Sequence, residues 1–169
     1  MKSPAPRAVA GLPRLDRCLV MGVVNVTPDS FSDGGRWPGP DDAVEHGLEL
    51  VRDGADIVDV GGESTRPGAQ RPAESEELRR VVPVVRELAA AGALVSVDTM
   101  RSRVAAAAVE SGAAFVNDVS GGLADPDLLP VVAEAECPLV LMHWREHARH
   151  MQERAVYDDV VPDVVSELR

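Results

Sequence analysis

The sequence of 169 residues predicts an α/β fold in which parallel strands alternate with helices. Short runs rich in Val and Leu are separated by longer segments whose apolar residues recur at helical spacing. The short runs show no clean apolar–polar alternation, as expected for strands that are buried on both faces. Gly-Ala closes three helical segments and leads directly into a strand, which is typical of a repeated βα unit with right-handed crossovers.

Five strands and five helices are predicted from these patterns. The strands cover residues 19–25, 56–61, 94–98, 115–118 and 139–143. Each helix is predicted from one apolar face: Val44, Gly47, Leu48 and Val51; Leu78, Val81, Val82, Val85 and Leu88; Val104, Ala107 and Ala108; Leu128, Leu129 and Val132; and Val161, Val164, Val165 and Leu168. Gly54, Gly92 and Gly112 are predicted to end the first three helices. Pro162 is expected in the first turn of the last helix, where a missing N–H costs least.

The polar residues at the strand ends favour a barrel over an open doubly wound sheet. In an open sheet, ligand groups gather mainly at the point where the strand order reverses, whereas in a (β/α) barrel all strand ends meet at one mouth. No G-x-G-x-x-G follows the first strand, which weakens a dinucleotide-binding interpretation. Every predicted strand ends in residues that could converge: Asn25; Asp59 with Glu63 just beyond; Asp98; Asn117 with Asp118; and His143.

Composition and charge limit the partners that we expect. The net charge of −11 disfavours nucleic acid and anionic membranes, and no apolar run approaches the roughly 20 residues of a membrane span. Cys18 and Cys137 are far apart and are interpreted as reduced thiols, so we expect a cytoplasmic protein. Residues 1–17 are interrupted by prolines and contain no secretory apolar segment, so they are predicted to form a flexible arm before a single domain of residues 18–169.

Two polar loops are candidates for ligand binding. Residues 25–35, Asn-Val-Thr-Pro-Asp-Ser-Phe-Ser-Asp-Gly-Gly, carry side chains that can bind a metal or a phosphate, and a solvent-exposed turn is the alternative. Residues 61–68, Gly-Gly-Glu-Ser-Thr-Arg-Pro-Gly, place Thr65 and Arg66 beside the stiffening Pro67. Arg66 offers a planar fork of donors to a phosphate or carboxylate, and a surface ion pair is the alternative for it.

Asp98 and Asn117 are candidates for binding the edge of a flat heterocycle. A carboxylate can accept two N–H bonds, and a primary amide offers both donors and an acceptor. The alternatives are helix capping by Asp98 or Thr99 and a loop-stabilising role for Asn117. A zinc site formed by His143, His147 and His150 is disfavoured, because His143 ends a strand and no acidic fourth ligand is evident.

Two long motifs resemble the signatures of the dihydropteroate synthases. They are residues 21–35, Met-Gly-Val-Val-Asn-Val-Thr-Pro-Asp-Ser-Phe-Ser-Asp-Gly-Gly, and residues 56–68, Asp-Ile-Val-Asp-Val-Gly-Gly-Glu-Ser-Thr-Arg-Pro-Gly. The shorter strings Ser-Val-Asp-Thr at 96–99, Phe-Val-Asn-Asp-Val at 115–119 and Leu-Met-His at 141–143 continue in the order of that family.

The resemblance implies a (β/α)8 TIM barrel, of which this chain supplies about five βα units. It implies condensation of 6-hydroxymethyl-7,8-dihydropterin diphosphate with p-aminobenzoate, giving 7,8-dihydropteroate and diphosphate, with Mg²⁺ as cofactor. By this resemblance the catalytic residues are Asn25, Asp33, Arg66 and Asp98, and Asn25 also helps to hold Mg²⁺. The resemblance assigns pterin binding to Asp98, Asn117 and Met142. It assigns the p-aminobenzoate pocket to Phe31, Thr65, Arg66 and Pro67.

The sequence departs from the family pattern after the fifth βα unit. In the family, a sixth strand carries a further pterin-binding Asp, a seventh carries Ser-Arg-Lys and an eighth carries Arg-x-His. The chain reaches Arg169 before these strands, so we expect an incomplete barrel without the late helices through which the family usually forms homodimers. We therefore expect this chain alone to be inactive. The alternatives are a non-catalytic pterin-binding or regulatory fragment and a methyltetrahydrofolate-dependent methyltransferase-like barrel.

Overall fold

The computed structural model describes Val9 and residues 11–27 and 39–169. Within this part of the chain, five parallel strands form one sheet in the order β1-β2-β3-β4-β5. All five predicted strands are confirmed. The first begins two residues later than predicted, the second and third each begin one residue later, and the last ends two residues earlier. Their bounds are β1 Met21–Asn25, β2 Ile57–Gly61, β3 Val95–Asp98, β4 Phe115–Asp118 and β5 Leu139–Leu141.

A helix follows each strand, as predicted. Because every crossover advances to the next strand in the same direction, the strand order never reverses, which distinguishes the sheet from a doubly wound one. β1 and β5 are the two edges of the described sheet, so the barrel is incomplete. The helices are α1 Pro40–Arg52, α2 Glu74–Ala90, α3 Ser102–Glu110, α4 Leu128–Glu134 and α5 Val160–Glu167, and a 3-10 turn covers Met151–Arg154.

The predicted helix ends follow from the conformation of the glycines. Gly54, Gly92 and Gly112 have φ angles of 108°, 86° and 108°, in the region that favours glycine. At the start of α5, Asp159 accepts a hydrogen bond from the Val161 N–H, and Pro162 lies in the first turn as predicted. No helix in the described part of the chain has the length and apolar character needed to cross a bilayer.

The hydrophobic core lies between the outer face of the sheet and the helices. Gly47 of α1 lies so close to α2 that a Cβ there would be 2.8 Å from a methyl carbon of Leu88. The buried face of α2 is rotated from the predicted one: Glu77 and Val84 are buried, whereas Leu78 and Val82 are only half-buried. The strands supply the buried Val24, Val58, Val60, Val95, Val97 and Val116 to this core.

The opposite face of the sheet, which we call the inner face, carries the polar residues. Neighbouring parallel strands hold partnered residues on the same face, and successive residues of one strand point to opposite faces. The strand register aligns one row of Asn25, Gly61, Asp98 and Asn117, and below it a second row of Val23, Asp59, Ser96 and Phe115. The fold therefore separates a valine core on one face from a polar surface on the other.

Candidate functional site

The upper row of the inner face gathers three predicted site residues at the ends of their strands. Asn25 is exposed at the end of β1, and Asp98 and Asn117 are half-buried on β3 and β4. Gly61 lies between Asn25 and Asp98 in the register. A Cβ at residue 61 would be 3.3 Å from Oδ2 of Asp98, so the glycine makes room for this carboxyl group.

Asp98 carries the most perturbed carboxyl group on this face. Burial raises its pKa to about 8, and the nearby carboxylates of Asp59, Glu77, Glu63 and Asp118 add to the shift. Its carboxyl group has no hydrogen-bond partner among the described residues. A ligand with N–H donors would supply the hydrogen bonds that the ionised form of this group lacks.

Asp98 does not cap the helix that follows it. The first turn of α3 is held by Asp125, whose Oδ2 accepts a hydrogen bond of 2.7 Å from the Ser102 N–H. The Thr99 hydroxyl accepts the Arg101 N–H at 3.2 Å and donates to Glu77 at 2.6 Å. The capping alternative is therefore wrong for Asp98, and Thr99 holds the turn before α3.

Asn117 is tied to a buried aspartate on β2. Its Nδ2 donates a hydrogen bond of 2.9 Å to Oδ2 of Asp59, which is 4% exposed. Burial raises the pKa of Asp59 against the lowering effect of the Ser96 hydroxyl and the Asn117 amide. Oδ1 of Asp59 and the Ser96 hydroxyl lie buried without a well-formed hydrogen bond to any described residue. Sequence reasoning placed Asp59 at a strand end but gave it no role.

The second loop carries Thr65, Arg66 and Pro67, all exposed, beyond the end of β2. The Gly68 N–H donates to the Ala148 carbonyl at 2.8 Å, which ties the loop to the segment that follows β5. Arg66 forms no ion pair with another described residue. The alternative that Arg66 serves a surface ion pair is therefore not supported within the described part of the chain.

A cavity of about 230 Å³ lies between this loop and the ends of β3, β4 and β5. It brings together Met142, predicted to bind the pterin, and Thr65, predicted to bind p-aminobenzoate. Met142 is 45% exposed, immediately beyond β5. The other residues that give the cavity its mostly apolar wall include Met100, Val119, Trp144 and Met151.

A buried ionic network below the second loop was not predicted. Glu77 is fully buried and pairs with Arg101, whose Nη2 donates to the Pro72 carbonyl at 2.6 Å. Glu63 pairs with Arg71 at 3.0 Å. Burial raises the pKa of Glu77, while the Thr99 hydrogen bond and the Arg101 charge lower it. Through Arg101, these contacts tie α2 and the segment between the second loop and α2 to the turn that follows Asp98.

Two of the predicted strand-end residues do not face the site. Asp118 follows Asn117 directly and therefore lies on the helix side of the sheet, where Oδ1 accepts hydrogen bonds from the N–H and hydroxyl of Ser120. His143 lies beyond the observed end of β5 and pairs with Glu167 of α5 at 2.6 Å. The expectation that all five strand ends converge is wrong at these two positions.

The described residues contain no group of three or more His, Cys, Asp or Glu side chains that could hold a metal ion. The zinc arrangement is therefore not formed by His143, His147 and His150. Phe31 and Asp33 lie outside the described residues. Asn25 offers one exposed amide oxygen. A single such ligand fits Mg²⁺, because this ion usually keeps several bound waters. Its remaining ligands are typically one or two protein groups and the phosphates of the substrate.

Comparison with known proteins agrees with this geometry. Residues 21–169 match the family model described as pterin binding enzyme. The dihydropteroate synthase of Mycobacterium leprae is 61% identical over 150 residues, which are 88% of this chain and 53% of that protein. The dihydropteroate synthase of Bacillus subtilis is 46% identical over 154 residues, covering 90% of this chain and 52% of that protein. The chain thus spans about half the length of these relatives.

Solved structures of dihydropteroate synthases have the same fold over most of this chain. A Yersinia pestis enzyme with a sulfonamide drug superimposes with a TM-score of 0.84 at 42% identity, covering 95% of this chain and 58% of that one. A Xanthomonas albilineans enzyme in complex with 7,8-dihydropteroate gives a TM-score of 0.74 at 45% identity, covering 91% and 53%. These matches confirm the predicted resemblance and the incomplete (β/α) barrel. The chain belongs to the pterin-binding enzyme family.

Proposed function

We propose that this chain forms the pterin-binding part of a dihydropteroate synthase. The reaction would join 6-hydroxymethyl-7,8-dihydropterin diphosphate to p-aminobenzoate and release diphosphate. The observation that carries the proposal is the half-buried carboxyl group of Asp98, which has no hydrogen-bond partner among the described residues and lies beside Asn117 in the strand register. The similarity to dihydropteroate synthases over about nine-tenths of the chain supports it.

The pterin would lie against the upper row of the inner face. Its pyrimidine edge presents N–H donors and acceptors, which match the carboxylate of Asp98 and the amide of Asn117. A hydrogen bond to a charged group contributes about 1.5–3 kcal/mol. Met142 would contact the flat ring from the adjoining cavity, since it lines that cavity with Met100 and Val119.

The diphosphate would lie toward Asn25 and the first loop. Mg²⁺, when bound, neutralises charge on the departing diphosphate oxygens. The Asn25 amide oxygen would hold the ion, and Asp33 of the same loop is proposed as a catalytic residue by resemblance. Hydrogen bonds from the pterin N–H groups would favour the ionised form of Asp98. In that form Asp98 would stabilise the positive charge that develops on the pterin as the C–O bond breaks. The chain's own contribution is therefore positioning and electrostatics, and no covalent enzyme nucleophile is needed.

The amine substrate would lie against the second loop. Thr65, Arg66 and Pro67 are exposed there, and Arg66 has the fork of donors that a benzoate carboxylate requires. Phe31 of the first loop is proposed to complete this pocket. The Yersinia pestis structure with a sulfonamide drug and a Xanthomonas albilineans structure with 4-aminobenzoic acid support a pocket for such ligands.

Location and partners are proposed from charge and resemblance. A cytoplasmic protein that acts on small molecules fits the net charge of −11, which disfavours nucleic acid as a partner. Homodimer formation, usual in the family, is proposed from that resemblance alone, which assigns the contact to the late helices of the family pattern.

The test is diphosphate release by the protein expressed with its whole reading frame, assayed with both substrates and Mg²⁺. We expect turnover that depends on both substrates, and Asp98→Asn should lower kcat/KM by about tenfold or more, because a charge-assisted hydrogen bond is lost. Asp56→Asn is the control, since Asp56 precedes the neighbouring strand β2, at the opposite end of the sheet from Asp98, and pairs with Arg17. Pterin binding without dihydropteroate formation would overturn the synthase assignment.

A further inference from the structure

Asp59 occupies an unusual position on the inner face. It is 4% exposed, one row below Asp98, and its Oδ2 accepts the hydrogen bond from Nδ2 of Asn117 across the intervening strand β3. Asp59 forms no ion pair with any described Arg, Lys or His. Burying a carboxyl group without a cation is costly, so its presence calls for a compensating role.

The hydrogen bond to Asp59 determines the orientation of the Asn117 amide. A primary amide can rotate by half a turn and exchange its donor and acceptor ends with little change in shape. Because a carboxylate only accepts hydrogen bonds, Asp59 selects the orientation in which Nδ2 of Asn117 points toward β2. Oδ1 and the second N–H of Asn117 are then presented to a ligand on the inner face in one fixed arrangement.

We propose that Asp59 is a positioning residue that fixes the amide orientation of Asn117 and thereby sets the hydrogen-bonding pattern offered to the pterin edge. This inference rests on the proposed function, because it names a further determinant of the same site. Asp59 acts through Asn117 and does not touch the ligand. Without it, the amide samples both orientations, and only one of them matches the pterin.

The proposal is tested by a double-mutant cycle on the dissociation constant for the pterin substrate. The variants are Asp59→Leu, which removes the acceptor, Asn117→Ala, and the double variant. We expect Asn117→Ala to weaken pterin binding by about tenfold, in the range of one lost hydrogen bond at a desolvated site. Asp59→Leu should weaken it by about twofold or more, because an amide that samples both orientations equally is in the matching one only half of the time. The double variant should be no weaker than Asn117→Ala alone, because Asp59 acts only through that amide.

A conservative variant separates the hydrogen bond from the charge. Asp59→Asn keeps an acceptor oxygen for Nδ2 of Asn117 but cannot ionise, so it should restore most of the affinity lost in Asp59→Leu. Asp56→Asn, which removes a carboxylate just before the same strand, should leave the pterin dissociation constant unchanged. Urea unfolding of every variant identifies any that fail to fold, and Asp59→Ala, which also removes the acceptor, replaces Asp59→Leu in the cycle if that variant does not fold.

The outcomes distinguish this inference from the proposed function. If Asn117→Ala leaves pterin binding unchanged, the proposed pterin site itself is wrong. If Asn117→Ala weakens binding while Asp59→Leu does not, only the positioning role is overturned. Multiplicative losses in the double variant, or no recovery in a folded Asp59→Asn, would likewise refute action through the amide.

Discussion

Replacing Asp98 with asparagine is expected to stabilise the fold while it weakens pterin binding. The carboxyl pKa rises from 3.8 to about 8 because the group is buried among other carboxylates. Between these two pH values the folded protein keeps a proton that the unfolded chain has lost, so stability falls as the pH rises through this window. Asparagine cannot ionise, and the variant escapes this loss.

The size of the effect follows from the proton linkage. Each pH unit inside the window changes the free energy of unfolding by about 1.36 kcal/mol. Because pH 7 lies 3.2 units above the starting pKa of 3.8, the free energy of unfolding lost at pH 7 is on the order of 4 kcal/mol. At pH 5 it is on the order of 1.6 kcal/mol by the same slope. The stability advantage of Asp98→Asn over the parent should therefore grow by about 3 kcal/mol between pH 5 and pH 7.

Urea unfolding at the two pH values measures this difference on the protein expressed with its whole reading frame. Asp56→Asn is the control with the opposite sign. The Arg17 side chain and the Val20 N–H hold the pKa of Asp56 down at about 2, so its stabilisation is complete above 3.8 and is lost only as the pH falls toward 2. That variant should lose the same stability at pH 5 as at pH 7. An advantage of Asp98→Asn that stays constant between pH 5 and pH 7 would refute the linkage argument.

Three further predictions address the site and the sheet edges. Gly61→Val should raise the pterin dissociation constant by about tenfold with little change in that of p-aminobenzoate, because its side chain displaces the Asp98 carboxyl group; equal losses for both ligands would contradict this. Substitutions at Thr65 or Pro67 should change sulfonamide inhibition by about tenfold and pterin affinity much less, and equal changes would argue against the pocket assignment. Residues 1–169 expressed alone should self-associate through the exposed Val23, Val140 and Leu141, since exposing 400 Å² of apolar surface costs about 10 kcal/mol against a typical stability of about 5–15 kcal/mol. A monomer with one sharp thermal transition would contradict that last prediction.

The features that the sequence predicted well depend on local chemistry. Strand positions follow from apolar runs, and the helix ends at Gly54, Gly92 and Gly112 follow from the conformation that glycine tolerates. Asp98 ended one predicted strand and Asn117 stood one residue before the end of the next, and parallel pairing then placed them in one row. The likeness of residues 21–35 and 56–68 to a known family also identified the fold correctly.

The features that were missed depend on register and on side-chain direction. Asn117 and Asp118 are adjacent and must point to opposite faces of the sheet, so only one of them could reach the site. Strands that are buried on both faces lack the apolar–polar alternation that would show in the sequence which of the two it is. The Asp59–Asn117 contact joins residues 58 positions apart, which only the strand register brings together. Glu77 was overlooked because a buried acid interrupts an apolar helix face, and its partners Thr99 and Arg101 lie on another element.

The two faces of the sheet have opposite effects on stability. On the outer face, each buried valine contributes about 1.5–3 kcal/mol by leaving water. On the inner face, Asp59 and Asp98 are held where burial raises the pKa of both, which costs stability that a pair of apolar residues would not. Alternate residues of β2 point to opposite faces of the sheet. Val58 and Val60 therefore pack in the core, whereas Asp59 between them lies at the candidate site. Truncating these valines should therefore lower stability with little effect on ligand preference, whereas changes at Asp59 or Asp98 alter binding and need not destabilise the protein.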